Sequence, residues 1–279
     1  MRKFRFGVTG RGDTLAAWRD FARKAESLGY DTLVLPDHFA RQLAPIPALI
    51  AAAQVTSTLR LGTLVLDNDF RHPASLAKEL ATLDLLSEGR LEVGIGTGSQ
   101  PRDNEQAGIP LDPPGKRFER LRETLAILDA CFSSDEVNFD GTHYQLKAFM
   151  SYPRPVQPRV PLMLGARGPR MLRLAGRRAD IIGVMGGPES NHAEQLEVVR
   201  AATGQRFESI EFNQLYLQVD VDGQRSGLPG NRLPALVGSH EQIVEQLLAQ
   251  REQELISYVV VIGTAIDAFA PIVARLRGT

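Results

Sequence analysis

Apolar runs rich in Val, Ile and Leu alternate with amphipathic stretches from one end of the chain to the other, and the alternation pairs into eight strand-helix units. Residues 4–9 predict a first strand. Asp13 is placed to cap the helix behind it, in which Leu15, Trp18, Phe21, Ala22, Ala25 and Leu28 recur at helical spacing until Gly29 ends it. Residues 32–35 and 47–56 predict the second strand and helix, and residues 59–66 and 73–86 the third, with Pro73 suited to a first helical turn. The fourth strand, residues 90–96, runs into the glycine-rich turn Gly96-Thr97-Gly98-Ser99, and residues 117–132 form the helix after it. Strands five to eight are predicted over residues 161–164, 181–184, 212–219 and 258–262, each followed by a helix, the last over residues 265–277.

One stretch breaks the rhythm. Residues 137–146 alternate around Asp140-Gly141, a hairpin signal, and Pro153, Pro155, Pro158 and Pro161 then hold the chain extended. The stretch of about residues 133–160 therefore predicts an insertion on the rim between strands four and five. Eight strand-helix units in one chain predict an α/β TIM (β/α)8 barrel, a single domain over residues 1–279, because parallel strands with right-handed helical crossovers close at that number. An open doubly wound sheet would need a dinucleotide turn. The one candidate, Gly94, Gly96 and Gly98, places its third glycine one residue early and is followed by Pro101.

Charge and composition narrow the partners. The 32 basic and 33 acidic side chains leave a net charge of -1, which offers no general field to nucleic acid or to an anionic membrane. Cys131 is the only cysteine, so no intrachain disulfide forms. The longest apolar stretch, near residues 48–53, is far short of the ~20 residues that span a bilayer, and the N-terminal residues do not read as a signal peptide. The expectation is a cytoplasmic protein whose partners are a small-molecule substrate and, as an assembly to look for, a second copy of itself.

In such a barrel the chemistry gathers at the C-terminal strand ends. Those positions hold Asp37 and His38 after strand two, Asp67, Asn68 and Asp69 after strand three, Thr97 and Ser99 after strand four, Gly165-Ala166-Arg167-Gly168 after strand five and Met185-Gly186-Gly187 after strand six. No lysine ends a strand, which argues against a Schiff-base aldolase. The five histidines show neither HxH nor HExxH spacing, and no carboxylate pair suggests glycoside hydrolysis. What remains is small, rich in glycine and nearly uncharged, which suits a flat cofactor that brings its own chemistry. Gly165 to Gly168 can present backbone N–H groups to a phosphate at a helix N-terminus, although a plain strand-to-helix turn reads the same way. Arg170, Arg173 and Arg177 form a basic stripe on that helix, the pattern of a solvated face as well as of an anion site. His38 can donate to a reacting oxygen, or simply pack, and Asp37 can accept from a ring N–H.

These residues resemble the luciferase-like monooxygenase superfamily, in particular its F420-dependent oxidoreductases. The likeness is carried by Leu61-Gly62-Thr63-Leu64-Val65-Leu66, His72-Pro73-Ala74, Ala81-Thr82-Leu83, Gly89 through Gly98, Pro36-Asp37-His38-Phe39, Gly165-Ala166-Arg167-Gly168-Pro169 and Ala179-Asp180-Ile181-Ile182-Gly183. The resemblance implies that Asp37 contacts the deazaflavin ring and that His38 lies beside the substrate. It further implies that Gly165, Ala166 and Gly168, with Arg167 in the same turn, hold the ribityl phosphate, and that Thr97 and Gly98 flank the cofactor. A non-proline cis peptide is implied at Leu64-Val65. Several sugar-phosphate-oxidising relatives carry a catalytic glutamate after Gly-Thr-Gly where this chain has Ser99, so Ser99 at most relays a proton and sugar-phosphate oxidation is not expected. The implied cofactor is coenzyme F420, with FMN as the alternative. The implied reaction is hydride transfer between deazaflavin C5 and a small organic substrate, in the direction of reducing an activated C=C or C=N bond. An FMN-dependent monooxygenase and a barrel that binds a flavin without turnover remain open, and residues 133–161 are where substrate choice is expected.

Overall fold

A computed structural model describes residues 1–98, 100–184, 191–227 and 234–279. The elements run β1 (Arg5–Thr9), α1 (Leu15–Ser27), β2 (Thr32–Leu35), α2 (Pro45–Ala53), β3 (Arg60–Thr63), β4 (Leu66–Asp67), α3 (Pro73–Leu86) and β5 (Leu91–Gly96). They continue with α4 (Pro101–Ala107), α5 (Pro114–Ser133), β6 (Glu136–Asp140), β7 (Gln145–Met150), β8 (Leu162–Ala166), α6 (Pro169–Arg178), β9 (Ile181–Val184) and α7 (His192–Thr203). The chain ends with β10 (Glu211–Tyr216), β11 (Gln218–Val221), β12 (Gln224–Gly227), β13 (Ala235–Gly238), α8 (His240–Glu254), β14 (Ile256–Val261) and α9 (Ile266–Leu276). Strands β3, β2, β1, β14, β10, β9, β8 and β5 pair in that order, all parallel, and β3 pairs with β5 to close the ring. This is the eight-stranded barrel that the periodicity predicts. Among the described residues no helix is long and apolar enough to cross a membrane.

The barrel interior is layered. Val34, Met163, Ile181, Tyr258 and Val260 fill its middle, with Leu64, Val65 and Leu215 packed against them on the side of the mouth. The floor is ionic. Arg5 donates to Glu92 at 2.6 Å and to Glu211 at 2.8 Å and lies 3.8 Å over the Tyr258 ring, while Arg60 donates to the same Glu92 at 2.5 Å. Burial disfavours every one of these charges. Arg5 and Arg60 nevertheless hold the Glu92 carboxyl below its ordinary range, and the two carboxylates keep Arg5 firmly protonated. Burial pushes Glu211 up in spite of Arg5. The outer shell packs conventionally: buried Trp18 of α1 donates from its indole to the Ala48 carbonyl of α2 at 2.7 Å.

The structure departs from the sequence reading at four places. Thr14, not Asp13, caps α1, its side chain accepting from the Ala17 amide. A short helix, α4, occupies residues to which the periodicity gives no element: Pro101 starts it as a first-turn proline and Gly108, at φ 67°, stops it in the left-handed region. The third strand is interrupted after Thr63, where the Leu64-Val65 peptide is cis, and resumes as β4. The seventh strand ends at Tyr216 rather than running to residue 219. From Gln218 the chain alternates polar and apolar residues, and β11 joins β12 and β13 in a separate three-stranded sheet. Asp222 and Gly223, at φ 51° and 83°, form the tight turn between β11 and β12, a hairpin signal in the sequence that was not read as one. The hairpin expected at residues 137–146 is present as β6 and β7.

Replacing Arg5 by Met leaves the buried Glu211 carboxylate without its partner. We expect Arg5→Met to lose about 3 to 5 kcal/mol of stability in urea unfolding, the usual consequence of breaking a buried ion pair from one side. Adding Glu211→Gln to that variant should restore part of the loss, because it removes the stranded charge.

Candidate functional site

The site is built from the C-terminal ends of β2, β4, β5 and β8. Beyond β2, Asp37 is 7% exposed, and its carboxylate accepts from both terminal nitrogens of Arg71 and from the Asp67 amide at 3.1 Å. The next residue, His38, is a third exposed, and its Nδ1 lies 2.7 Å from the Asp103 carboxylate of α4. At the end of β4, the Asp67 carboxylate accepts from the Asp69 amide at 2.8 Å. Burial, then the neighbouring charges of Asp69 and Asp37, push its pKa up to about 6. Burial also raises Asp69, although Arg120 stands 2.9 Å away.

Glycines decide how closely these pieces approach. A Cβ on Gly94 would fall 1.9 Å from the Thr63 carbonyl oxygen, so only glycine lets β5 lie against β3 there. Gly98 has φ 83°, and a Cβ on it would fall 2.4 Å from an Asp67 carboxylate oxygen. The methyls of Val65 sit against Gly94, Gly96 and Gly165, with contacts of 3.1, 3.1 and 3.5 Å to where their Cβ atoms would be. Val65 and half-buried Leu64 thus form an apolar floor at the mouth. Arg117 of α5 donates to the carbonyls of Thr97 and Gly98, at 3.0 and 2.9 Å, and so anchors the turn after β5.

The β8 turn ends at Gly168, the N-cap of α6, which supplies no side-chain cap. A Cβ there would meet nothing within 4 Å, so the uncapped start of α6 borders open space. Ala166 is buried and Arg167 exposed. The expected basic stripe does not act as one unit: Arg170 pairs with Glu119 at 3.1 Å over the Phe118 ring, whereas Arg173 and Arg177 line an outer groove between α6 and α7 together with Glu197. Asp37, Leu64, Val65, Thr97, Gly98 and Gly165 therefore share one neighbourhood through Asp67 and Val65, with His38 beside them. Ser99 and Met185-Gly186-Gly187 lie outside the described residues. The segment expected to choose substrate runs along the outside of α5, where Glu123 accepts from the amides of Thr142, His143 and Tyr144. Sequence reasoning missed Asp103, Arg71 and Arg117. Arg71 stands directly before the His72-Pro73 pair and is legible as a strand-end cation, whereas Asp103 gives no signal because the periodicity assigns no element to α4.

Comparison with known proteins agrees with this architecture. The model of the luciferase-like monooxygenase family matches residues 3–221. The chain belongs to that family. Among its members, the F420-dependent glucose-6-phosphate dehydrogenase of Microbacterium testaceum is 36% identical over 169 residues, which cover 58% of this chain and 50% of that one. Rv0953c of Mycobacterium tuberculosis, an uncharacterised protein, is 36% identical over 184 residues, covering 58% of this chain and 63% of its own. The matched segment spans about half the length of the dehydrogenases, so their substrate does not transfer with the likeness. In fold, the coenzyme F420-dependent tetrahydromethanopterin reductase of Methanopyrus kandleri superposes with a TM-score of 0.85 at 18% identity, covering 99% of this chain and 100% of that one. An F420-dependent secondary alcohol dehydrogenase in complex with an F420-acetone adduct gives 0.82 at 19% identity, covering 99% and 100%. These two likenesses are of fold, and they agree with the barrel that the strand pairing shows.

The raised Asp67 gives a test that needs no ligand. Between its unfolded value near 3.8 and its folded value of about 6, the native state holds a proton that the unfolded chain has lost, so this group's effect on stability worsens as pH rises through that window. Asp67→Asn keeps an oxygen for the Asp69 amide and removes the charge. Its melting temperature should exceed that of the wild type at pH 8, by about 1 to 3 kcal/mol of stability, and should match it near pH 4.

Proposed function

We propose that the protein is an F420-dependent oxidoreductase that moves a hydride between deazaflavin C5 and a small organic substrate, in the direction of reducing an activated C=C or C=N bond. The observation that carries the reading is the apolar floor of Val65 on three glycines, walled by buried Asp37 and open toward His38. A flat ring system fits that floor, and the uncapped amides of α6 behind Gly168 fit its phosphate. Relatives that are 36% identical and named as F420-dependent support deazaflavin over FMN.

The bound cofactor supplies, or takes up, the hydride. The chain's own residues do the rest. Leu64 and Val65 would keep water from the face of a ring bound against them, and excluding water strengthens the charge interactions nearby. Asp37, clamped by Arg71 and the Asp67 amide, is a fixed acceptor that would meet the edge of a bound ring. A phosphate held at the start of α6 would fix where the cofactor lies along the mouth, so that substrate, ring and His38 could share one orientation. Reduction of a neutral double bond needs one proton for each hydride. His38, the half-exposed imidazole at the mouth, is the residue placed to give it.

Titrating the purified protein with coenzyme F420 and, separately, with FMN tests the cofactor. We expect saturable binding of F420 and much weaker binding of FMN, and tight FMN binding with oxygen-dependent turnover would move the reading to a monooxygenase. Gly168→Glu should fold normally, since its Cβ meets open space, and should lose F420 binding. His38→Ala should leave F420 affinity near that of the wild type and slow the chemical step by roughly 10²- to 10⁴-fold in single-turnover assays.

A further inference from the structure

The carboxylate that touches His38 comes from a helix 65 residues further along the chain. Asp103 is the third residue of α4, where an acid ordinarily serves the helix itself by facing its N-terminal amides. Here it turns outward instead. The cap residue Gln100 makes no side-chain cap bond, and among the described residues the Asp103 carboxylate makes its hydrogen bond to His38 Nδ1, at 2.7 Å. The Asp103 side chain is 11% exposed and that of His38 37% exposed. The acid is thus buried behind the ring, and the ring is open on its other side. Among the described residues Nε2 of His38 has no partner, so that nitrogen is left to whatever occupies the mouth.

Resting on the function proposed above, we infer that Asp103 is a positioning residue that fixes His38 as the proton-delivering group, with Nε2 as the delivering atom. A carboxylate accepts and does not donate, so it holds the ring proton on Nδ1 whether the imidazole is neutral or charged. In the neutral ring Nε2 then carries the lone pair and takes a proton from solvent. In the charged ring the same Nε2–H points into the mouth, and the ion pair with Asp103 steadies the cation. The ring does not turn between the two states. In the reduction, the hydride supplies the electron pair for the new C–H bond at one end of the substrate's double bond. The π pair moves to the other end and takes the proton from Nε2, the Nε2–H bond breaks, and water later restores it. The substrate gains two hydrogens and two electrons, both electrons from the reduced deazaflavin, and His38 returns to its starting state. Asp103 never has to be protonated.

The test uses the full chain, with and without F420. Long-range proton-nitrogen correlation spectra of ¹⁵N-labelled, cofactor-free protein with His38 in its neutral form should show its Nδ1–H tautomer. In Asp103→Asn the amide can donate to Nδ1, and the ring should switch to the Nε2–H tautomer; Asp103→Glu should recover the first pattern at least in part. With reduced F420 and 2-cyclohexen-1-one as an activated-alkene probe, Asp103→Asn should slow the single-turnover step by roughly 10²-fold or more while F420 affinity and KM change little. A purely structural role for Asp103 would instead lower the melting temperature and F420 affinity together. An unchanged tautomer in Asp103→Asn, or an undiminished rate, overturns the inference. If the wild type fails to bind F420, the proposed function falls, and the tautomer spectra still decide whether Asp103 sets the state of His38.

Discussion

The interaction on which the rest of the barrel depends is the contact of one guanidinium with two carboxylates at its floor. Arg5 on β1 reaches Glu92 on β5 and Glu211 on β10, and Arg60 on β3 reaches Glu92 as well. Four of the eight strands therefore meet through their first or second residues, at the end opposite the mouth. Buried charges are tolerated only when paired, and pairing is a strict geometric demand. A register slip of one residue would turn Arg5 or Glu92 out of the interior and leave its partner stranded. The floor is thus a check on the register of the whole ring. Strands in register at the floor deliver Asp37, Asp67, Gly98 and Gly165 to the same level at the top.

The mouth repeats the problem of buried charge with a different solution. Asp37 and Asp69 lie close enough to Asp67 to oppose its ionisation, and three arginines from outside the barrel wall stand around the group. Arg71 takes Asp37, Arg120 takes Asp69, and Arg117 spends its donors on the carbonyls of Thr97 and Gly98. Asp67 is left with a backbone amide, and so it is the carboxyl that burial moves furthest, to about 6. The result is a mouth in which Asp37 and Asp69 are each paired with an arginine and Asp67 is not.

Much of this was legible in the sequence. The alternation of apolar runs gave the barrel because period and order are local signals repeated eight times, and the strand ends then pointed to Asp37, His38, Gly165 and Gly168 without any knowledge of packing. The failures share a cause. Helix α4, the Thr14 cap and the β11 to β13 sheet are short elements whose identity rests on one or two residues, Pro101, Asp222-Gly223 or a single hydroxyl, and such signals are easily outvoted by their neighbours. The pairing of His38 with Asp103 was beyond reach for another reason. It joins the loop after β2 to the short helix α4 after β5, each ordinary by itself, and acquires meaning only when the barrel brings them together.

Helix α5 shows how remote parts of the chain come to bear on the site. Arg117, Arg120 and Glu123 stand three residues apart, so they project as one row along the helix. The first holds the turn after β5, the second holds Asp69 beside Asp67, and the third accepts the amides of Thr142, His143 and Tyr144 at the tip of the hairpin. Tyr144 in turn packs edge-on against His72, the residue that caps α3. The insertion therefore meets the mouth in two ways, through the polar row of α5 and directly through Tyr144, which stands beside Asn68 and Asp69.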